Sequence, residues 1–362
     1  MQEHLAALAT HCFYAGELQA GRRACESLLS QPLDARLEHQ IRANRTFYTQ
    51  PLSELASVSF LKWDIPAAHE GWSLFNPTII LHGDRLLGIV RSSNYRIENG
   101  RYIISDSDGE LIRTENILVE LDDNLDVFRS QTITGPEYEK TGFAVDGLED
   151  CRLRLTPSGI GVSATVRNVA PFDGRCRIAT ADLDIEKAEF SSLRVLSSFQ
   201  LQEHEKNWMP AGTGWVYAAN HNGHTVTVEP DQTCGSAFNL LQRQPAPAIS
   251  RGFRGGGQVV PWCGGWLGVV HEVAHLPTGQ RVYEHRFLTW DDSWQMVEIS
   301  PPFSFLKTQA IEFAAGIAVK DGQVIVTFGA ADAEAYVASI KEDDVARMLK
   351  QCQATDRRLR TG

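Results

Sequence analysis

Gly264-Gly-Trp-Leu-Gly-Val-Val-His-Glu272 is a short apolar run that opens on glycine and closes on polar side chains. Four other stretches share its form: Gly83-Asp-Arg-Leu-Leu-Gly-Ile-Val-Arg91, Gly159-Ile-Gly-Val-Ser-Ala-Thr-Val-Arg167, Gly214-Trp-Val-Tyr-Ala-Ala-Asn-His-Asn222 and Gly322-Gln-Val-Ile-Val-Thr-Phe-Gly-Ala330. Successive copies lie roughly 50 to 75 residues apart, the scale of a four-stranded propeller blade, which needs about 40–50 residues. The pattern predicts a mainly β chain folded as a five-bladed β-propeller. Equivalent strand ends then surround one axis, where Arg91, His271 and Glu272 are expected to meet.

The chain has 362 residues, 43% of them apolar, enough for a full core in one large or two smaller domains. Its formal charge of -11 argues against a nucleic-acid-binding surface, which needs clustered Lys and Arg. No uninterrupted apolar stretch is long enough to span a bilayer, and the start, MQEHLAALATHC, lacks the pattern of a signal peptide. A cytoplasmic location is therefore expected. Seven cysteines without a CxxC pair read as reduced thiols rather than a disulfide or zinc framework.

Residues 1–52 differ from the rest. Leu5, Leu8, Cys12 and Tyr14, then Leu18, Ala24, Leu28 and Leu29, follow helical spacing, with breaks at Gly16 and Pro32 and a further helical run from about Arg36 to Tyr48. Tyr14-x-Gly16-Glu17-x-x-Ala20 with Ala24 resembles one tetratricopeptide-type hairpin, but a lone hairpin has no neighbours to bury its faces. A helical cap packed on the main domain is the favoured expectation, and it leaves these helices open to a protein partner. From 53 to 345 short β-rich runs alternate with turn signals such as HGD, ENG, SDG, HNG and KDG, predicting the propeller. KEDDVARMLKQC predicts a terminal helix, so that 346–362 is a helix and tail.

Gly147-Leu148-Glu149-Asp150-Cys151-Arg152 is the sharpest local motif. Two adjacent carboxylates followed by an arginine can hold one acid ionised while the other has a raised pKa. Strand alternation puts Asp150 and Arg152 on one side, roughly 6–7 Å apart at about 3.3 Å per residue, with Glu149 facing away. A turn carboxylate bridged to its neighbour is the competing reading. Arg91, leaving its strand beside Ser92, Ser93, Asn94 and Tyr95, suits a phosphate or a sugar hydroxyl, because its planar fork presents fixed donors. Glu205-Lys206-Asn207-Trp208 sets charges and an amide against an aromatic, as sugar sites do. Arg254-Gly-Gly-Gly-Gln258 permits close approach of backbone to a ligand. His271-Glu272 and Tyr283-Glu284-His285-Arg286 add titratable groups, and Glu312 is a carboxylate in an apolar setting.

Other chemistries find little support. A metal site from His271, His275 and His285 lacks tight ligand spacing, so no metal is expected. No GxSxG, GxGxxG or GxxxxGK[ST] is present. Asp106-Ser-Asp108 and Asp122-Asp123-Asn124-Leu-Asp126 read as solvated hairpin loops.

Together Asn76-Pro77, the strand ending Val90-Arg91, Glu149-Asp150-x-Arg152, Glu205-Lys206-Asn207-Trp208, Arg254-Gly-Gly-x-Gln258, Val270-His271-Glu272, Tyr283-x-His285-Arg286-Phe287, SPPFSF, IEFAAG and FGAADAEA resemble the five-bladed propellers of glycoside hydrolase family 130. The resemblance covers about Phe60 to Ile340. It implies an enzyme acting on β-mannosides, mostly by inverting phosphorolysis, with hydrolases and mannosyltransferases among the relatives. A bacterial group whose propellers follow tetratricopeptide-like helices is similar in organisation. Asp150 matches the aspartate that gives a proton to the glycosidic oxygen. Arg91, Arg152, Lys206 and His271 match basic positions that bind phosphate, and Asn76 and Glu312 resemble sugar-contacting positions. Asn94, Glu149, Asn207, Arg254, Gln258, Glu272 and Tyr283 complete the set expected around the sugar. Cys151 stands where the family commonly has proline, which loosens the backbone there.

These expectations amount to a carbohydrate-active enzyme that makes or breaks a hexosyl linkage with inversion, Asp150 serving as general acid or base. No cofactor is expected. Inorganic phosphate, a sugar phosphate or a nucleotide sugar would be the co-substrate. An inverting hydrolase would instead need a second carboxylate about 6.5–9.5 Å from the first, with Glu272 or Glu312 in that role. The competing class is a non-catalytic sugar-binding or scaffold propeller.

Overall fold

Each of the five glycine-opened runs is the second strand of a different sheet. The computed structural model describes residues 1–98, 100–105, 111–169, 174–196, 204–230 and 238–359, and Asp106-Ser-Asp108 lies outside them. The first sheet orders its strands Ser73–His82, Arg85–Ser93, Ile112–Leu121 and Val127–Thr132. The second runs Glu149–Thr156, Gly159–Val166, Arg177–Asp184 and Glu189–Val195, and the third Met209–Ala211, Gly214–His221, His224–Pro230 and Phe238–Pro245. In the fourth, Arg254–Gly255 and Val260–Trp262 both pair with Gly265–His275, followed by Arg281–Trp290 and short outer strands. Glu312–Lys320, Gln323–Ala330 and Glu334–Lys341 form the fifth, and its outermost strand is Val58–Lys62 from the start of the β region. That borrowed strand ties the two ends of the β region together.

The sheets meet in ring order. The innermost strand Ser73–His82 touches both Glu149–Thr156 of the second sheet and Glu312–Lys320 of the fifth. A separate apolar core fills each junction: Leu87, Leu153 and Val162 between the first and second sheets, Trp208, Trp215 and Ile178 between the second and third, Met209, Val270 and Trp290 between the third and fourth, Leu267, Phe287 and Val326 between the fourth and fifth, and Ile79, Val119 and Ile325 between the fifth and first. The alternation of large apolar residues in the second strands supplies both sides of these junctions. The result is a mainly β, propeller-like fold.

Helices α1 (Gln2–His11), α2 (Leu18–Leu29) and α3 (Ala35–Arg45) pack on one another through Ala9, Cys25, Leu28 and Ile41. Gly21 is required there, because a Cβ would fall 2.2 Å from the Tyr48 ring. Asp34 caps α3 by accepting from the Leu37 amide at 2.9 Å. Helix α3 lies against the strand Gly265–His275. At the other end of the chain Glu342–Leu359 is helical and buries Val345, Met348 and Leu349 against the fourth and fifth sheets. No helix among the described residues is long and apolar enough to cross a membrane.

Charge, not apolar surface, joins the helices to the fourth sheet. Arg45 is fully buried and pairs with Glu272 at 2.9 Å and Glu284 at 2.5 Å. Arg286 bridges Glu272 at 2.9 Å and Glu26 at 2.6 Å, and Arg42 reaches Glu272 at 2.5 Å. Glu272 is therefore not an axial sugar ligand. Its neighbour His271 faces the axis, so strand alternation turns Glu272 to the helices. Burial raises the Glu272 pKa, but Arg45, Arg286 and Arg42 outweigh it and bring the pKa down to about 2. A depressed folded pKa contributes stability that is present above the unfolded value and is lost as pH falls through the folded one. Stability should therefore fall between about pH 4.5 and 2, with Glu272 accounting for about 3 kcal/mol at most. Denaturant titrations of wild type and Glu272→Gln across that range check this, and the variant should show a shallower acid limb.

Candidate active site

Three polar residues at the axial ends of innermost segments have left-handed backbone: Asn76 (φ 48°), Asp150 (φ 49°) and Asn207 (φ 63°). Ladder register breaks between Phe75 and Thr78, and again between Glu149 and Arg152. Bulges of this kind re-aim a side chain, and non-glycine residues hold such conformations only where surrounding structure enforces them. The bulge also overturns the simple alternation expected for the Glu149-Asp150-Cys151-Arg152 run. Glu149 does not face away, since both carboxylates bind Arg91: Glu149 Oε1 at 2.6 Å and Asp150 Oδ1 at 3.0 Å.

Asp150 Oδ1 also accepts from Asn76 Nδ2 at 2.9 Å. Burial alone would raise its pKa, but Arg91, Arg152 and the hydrogen bonds from Asn76 and Arg91 prevail and lower it. The group is an ionised carboxylate in the resting site. Arg91 lies over Phe75 at 4.8 Å and donates from Nε to Thr114 Oγ1 at 3.3 Å. Arg152 is 1% exposed and donates to Gly256 O at 2.5 Å, Asp150 O at 3.0 Å and Asn207 Oδ1 at 3.3 Å. Each guanidinium has five N–H donors, so both keep donors for a ligand.

On the other side of Arg152 stands His271, stacked on Tyr283 at 5.4 Å and edge-on to Phe313 at 5.1 Å. Burial pushes its pKa well below the ordinary histidine value, and His285, Arg254, Arg152 and Lys206 push it further. His271 is thus a neutral imidazole at physiological pH rather than the titrating group its sequence context suggests. Arg254 is the ladder partner of His271, and Lys206 precedes Asn207, which Arg152 bonds, so these four basic side chains come from adjoining segments on this side of the site. Lys206 and Arg254 are exposed. The arrangement can receive an anion beside Asp150.

Several expected ligands serve the scaffold instead. Asn94 bonds the Arg113 amide at 2.8 Å and Leu111 O at 2.9 Å. Gln258 Nε2 bridges Ile79 O and Ile317 O, tying the first sheet to the fifth. The glycines before it make room for protein: a Cβ on Gly255 would lie 2.0 Å from Asn207 O, and one on Gly257 2.6 Å from the Gly316 Cα. Glu312 accepts the amides of Phe305 at 2.6 Å, Leu306 at 2.9 Å and Lys307 at 3.0 Å, so it closes a loop rather than facing a sugar. Trp208 is core, with Nε1 donating to Glu205 at 3.2 Å. His275 is exposed and stacks on His39, and no group of three metal-ligating side chains is gathered among the described residues. Asp122 accepts the amides of Asn124 and Asp126, as a hairpin turn does.

Cys151 packs in the core between the first and second sheets, its pKa pushed up to about 12 by burial and then by Asp150, with Arg91 and Arg152 opposing. A thiol in that state is a poor nucleophile. Native protein treated with iodoacetamide at pH 8 should be alkylated at the exposed Cys263 and spared at Cys151, as peptide mass spectrometry would report.

One site residue escaped the sequence reading. Asp332 sits in the left-handed turn Ala331-Asp332 after the strand Gln323–Ala330 and accepts from Tyr95 Oη at 3.4 Å. Burial raises its pKa, Arg91 and Arg281 lower it and Asp150 raises it, with a net upward result. It lies in the FGAADAEA string, whose Ala-Ala-Asp turn was the available signal. Tyr95 joins it by packing on Phe75 at 5.5 Å.

No protein-family model matches the sequence, and no curated protein matches it. Similar solved structures exist. A β-1,2-mannobiose phosphorylase from Listeria innocua, in complex with β-1,2-mannobiose, is 12% identical, with 81% of this chain and 99% of that one covered at a TM-score of 0.50. A structure from the family of mannoside phosphorylases that contains glycoside hydrolases targeting β-1,2-mannosidic linkages in Candida mannan is 12% identical, covering 82% of this chain and 97% of that one at 0.51. A glycosyl hydrolase from Bacteroides ovatus is 14% identical, covering 75% and 85% at 0.50. At such identities the likeness is one of fold: this chain is built like the propellers of glycoside hydrolase family 130.

Proposed function

We propose that the chain is a carbohydrate-active enzyme of the glycoside hydrolase family 130 type that breaks or makes a β-hexosyl linkage, β-mannosyl in keeping with its structural neighbours, by phosphorolysis with inversion. The observation that carries the reading is an ionised Asp150 lodged between Arg91 and Arg152, beside the basic group of Lys206, Arg254 and His271. Phosphate needs no general base, because it is anionic at neutral pH. Its oxygen forms the new bond to the anomeric carbon as the glycosidic C–O bond breaks, and the departing oxygen takes a proton from Asp150. A depressed pKa opposes that role in the empty site. Bound phosphate reverses the balance, since its negative charge neutralises Arg91 and Arg152 and disfavours a second anion beside it. Asp150 then holds a proton once phosphate is in place. Run in reverse from a sugar phosphate, the same groups build the linkage.

Asp332 favours a second reading. Glu272 and Glu312 are committed elsewhere, so an inverting hydrolase would draw on Asp332, whose raised pKa is the opposite of Asp150's. Incubation with β-1,2-mannobiose, with and without inorganic phosphate, separates the two when sugar phosphate is followed by phosphorus NMR and released mannose by proton NMR. Phosphorolysis gives α-mannose 1-phosphate and no cleavage without phosphate. Cleavage at the same rate without phosphate assigns hydrolysis. A protein that binds β-mannosides but turns over none of them, in either direction and with GDP-mannose as donor, is the non-catalytic propeller.

A further inference from the structure

Arg152 serves the axial site from one end of its strand, and two residues on, Arg154 lies at the opposite end of the axis. There the later residues of all five innermost segments enclose a cavity of about 310 Å³, within the range of small-molecule pockets, about 300–1,000 Å³. Its walls are apolar, with Leu81, Leu153, Val260 and Val319 among them, and Trp266 at one side. Gln258 is part of its lining. With Nε2 bound to Ile79 O and Ile317 O, the Gln258 Oε1 is left buried without a partner, and the residue is 4% exposed.

Arg154 is the one charged side chain in the lining. Its guanidinium lies 4.6 Å from the centre of the Trp215 ring, its Nε is buried without a hydrogen-bond partner, and no carboxylate pairs with it among the described residues. Burial lowers its pKa, against the more distant Asp182. Arg154 is half-buried and an arginine remains charged under these conditions, so the fold presents a cation without an ion-pair partner to an apolar chamber. Solvent alone would satisfy a polar chamber, but this lining gives water few partners. A ligand with an apolar body and one anionic head matches both features.

We propose that this cavity is a second binding site, distinct from the hexosyl site, for a small amphiphilic carboxylate, its head on Arg154 and its chain among Leu81, Leu153, Val260 and Val319. The planar guanidinium receives a carboxylate bidentately, and the exposed Leu155 at the rim covers the chain. Octanoate is the probe and 1-octanol its neutral counterpart, each titrated calorimetrically. Octanoate binds the wild-type chain at one site and more tightly than 1-octanol. Arg154→Met lowers octanoate affinity about tenfold or more while leaving 1-octanol binding unchanged. Leu155→Glu, at an exposed position where folding is undisturbed, also weakens octanoate by placing a like charge at the mouth. Failure of octanoate to bind the wild type, equal affinity for both probes, or unchanged affinity in Leu155→Glu or in folded Arg154→Met overturns the proposal.

Discussion

Asp150→Asn should lower turnover by about 10²- to 10⁴-fold, the range for losing a positioned proton donor, while the protein still folds. The amide keeps the shape of the carboxyl and an oxygen for Asn76 and Arg91, whose bonds at 2.9 and 3.0 Å define its place. It cannot give up a proton to a leaving oxygen. Sugar binding should persist, because the basic group and Asn207 are untouched. The stability change has a defined sign. Asp150 has a lowered folded pKa, so its ionised form stabilises the fold above the unfolded value, and that contribution disappears as pH falls. The variant should therefore lose stability near pH 7 and lose less of it on acidification. Steady-state rates together with denaturant melts at pH 7 and pH 3 check both halves. Unchanged turnover would remove Asp150 from the chemistry.

Arg45→Met should be the most damaging substitution outside the site, costing about 3–5 kcal/mol. Arg45 is wholly buried, and Glu272, Glu284 and Glu26 all act on it. Removing it leaves the buried carboxylate of Glu284 without a cation in a low-dielectric junction, while Glu272 keeps Arg286 and Arg42. The double variant Arg45→Met/Glu284→Gln should recover part of the loss, because the stranded charge goes with its partner. Urea unfolding of the wild type, the single variants and the double variant measures the coupling. Additive losses would mean that the network does not hold the helices to the fourth sheet.

The repeat was legible because period-2 apolar runs opened by glycine are strong strand signals, and each of the five runs became a second strand. That Asp150 lies close to Arg152 could be read from two adjacent carboxylates followed by an arginine, and the resemblance added Arg91, which the structure brings against Asp150. Less could be read where direction mattered. Glu272 was expected at the axis as a polar residue at a strand end, Gln258 as the close of a glycine-rich segment, and Glu312 through the family resemblance. Glu272 met arginines from α3, Glu312 met three backbone amides, and Gln258 met two carbonyls. The partners of Glu272 and Gln258 lie far away in the chain, up to 230 residues for Glu272, and no local pattern encodes them. The bulge at Asp150 was hidden for the same reason: its positive φ is set by the neighbouring sheets. Neutral His271 likewise depends on burial and on cations from three other segments.

The central claim is that the axial site holds an anion beside Asp150, and the affinity for inorganic phosphate tests it most directly. Lys206 and Arg254 are exposed, so Lys206→Ala/Arg254→Ala removes two charges from that volume without opening the core. Calorimetric titration should find phosphate bound by the wild type and weakened about tenfold or more in the double variant. No binding to the wild type, or equal affinity in the two proteins, would contradict the account.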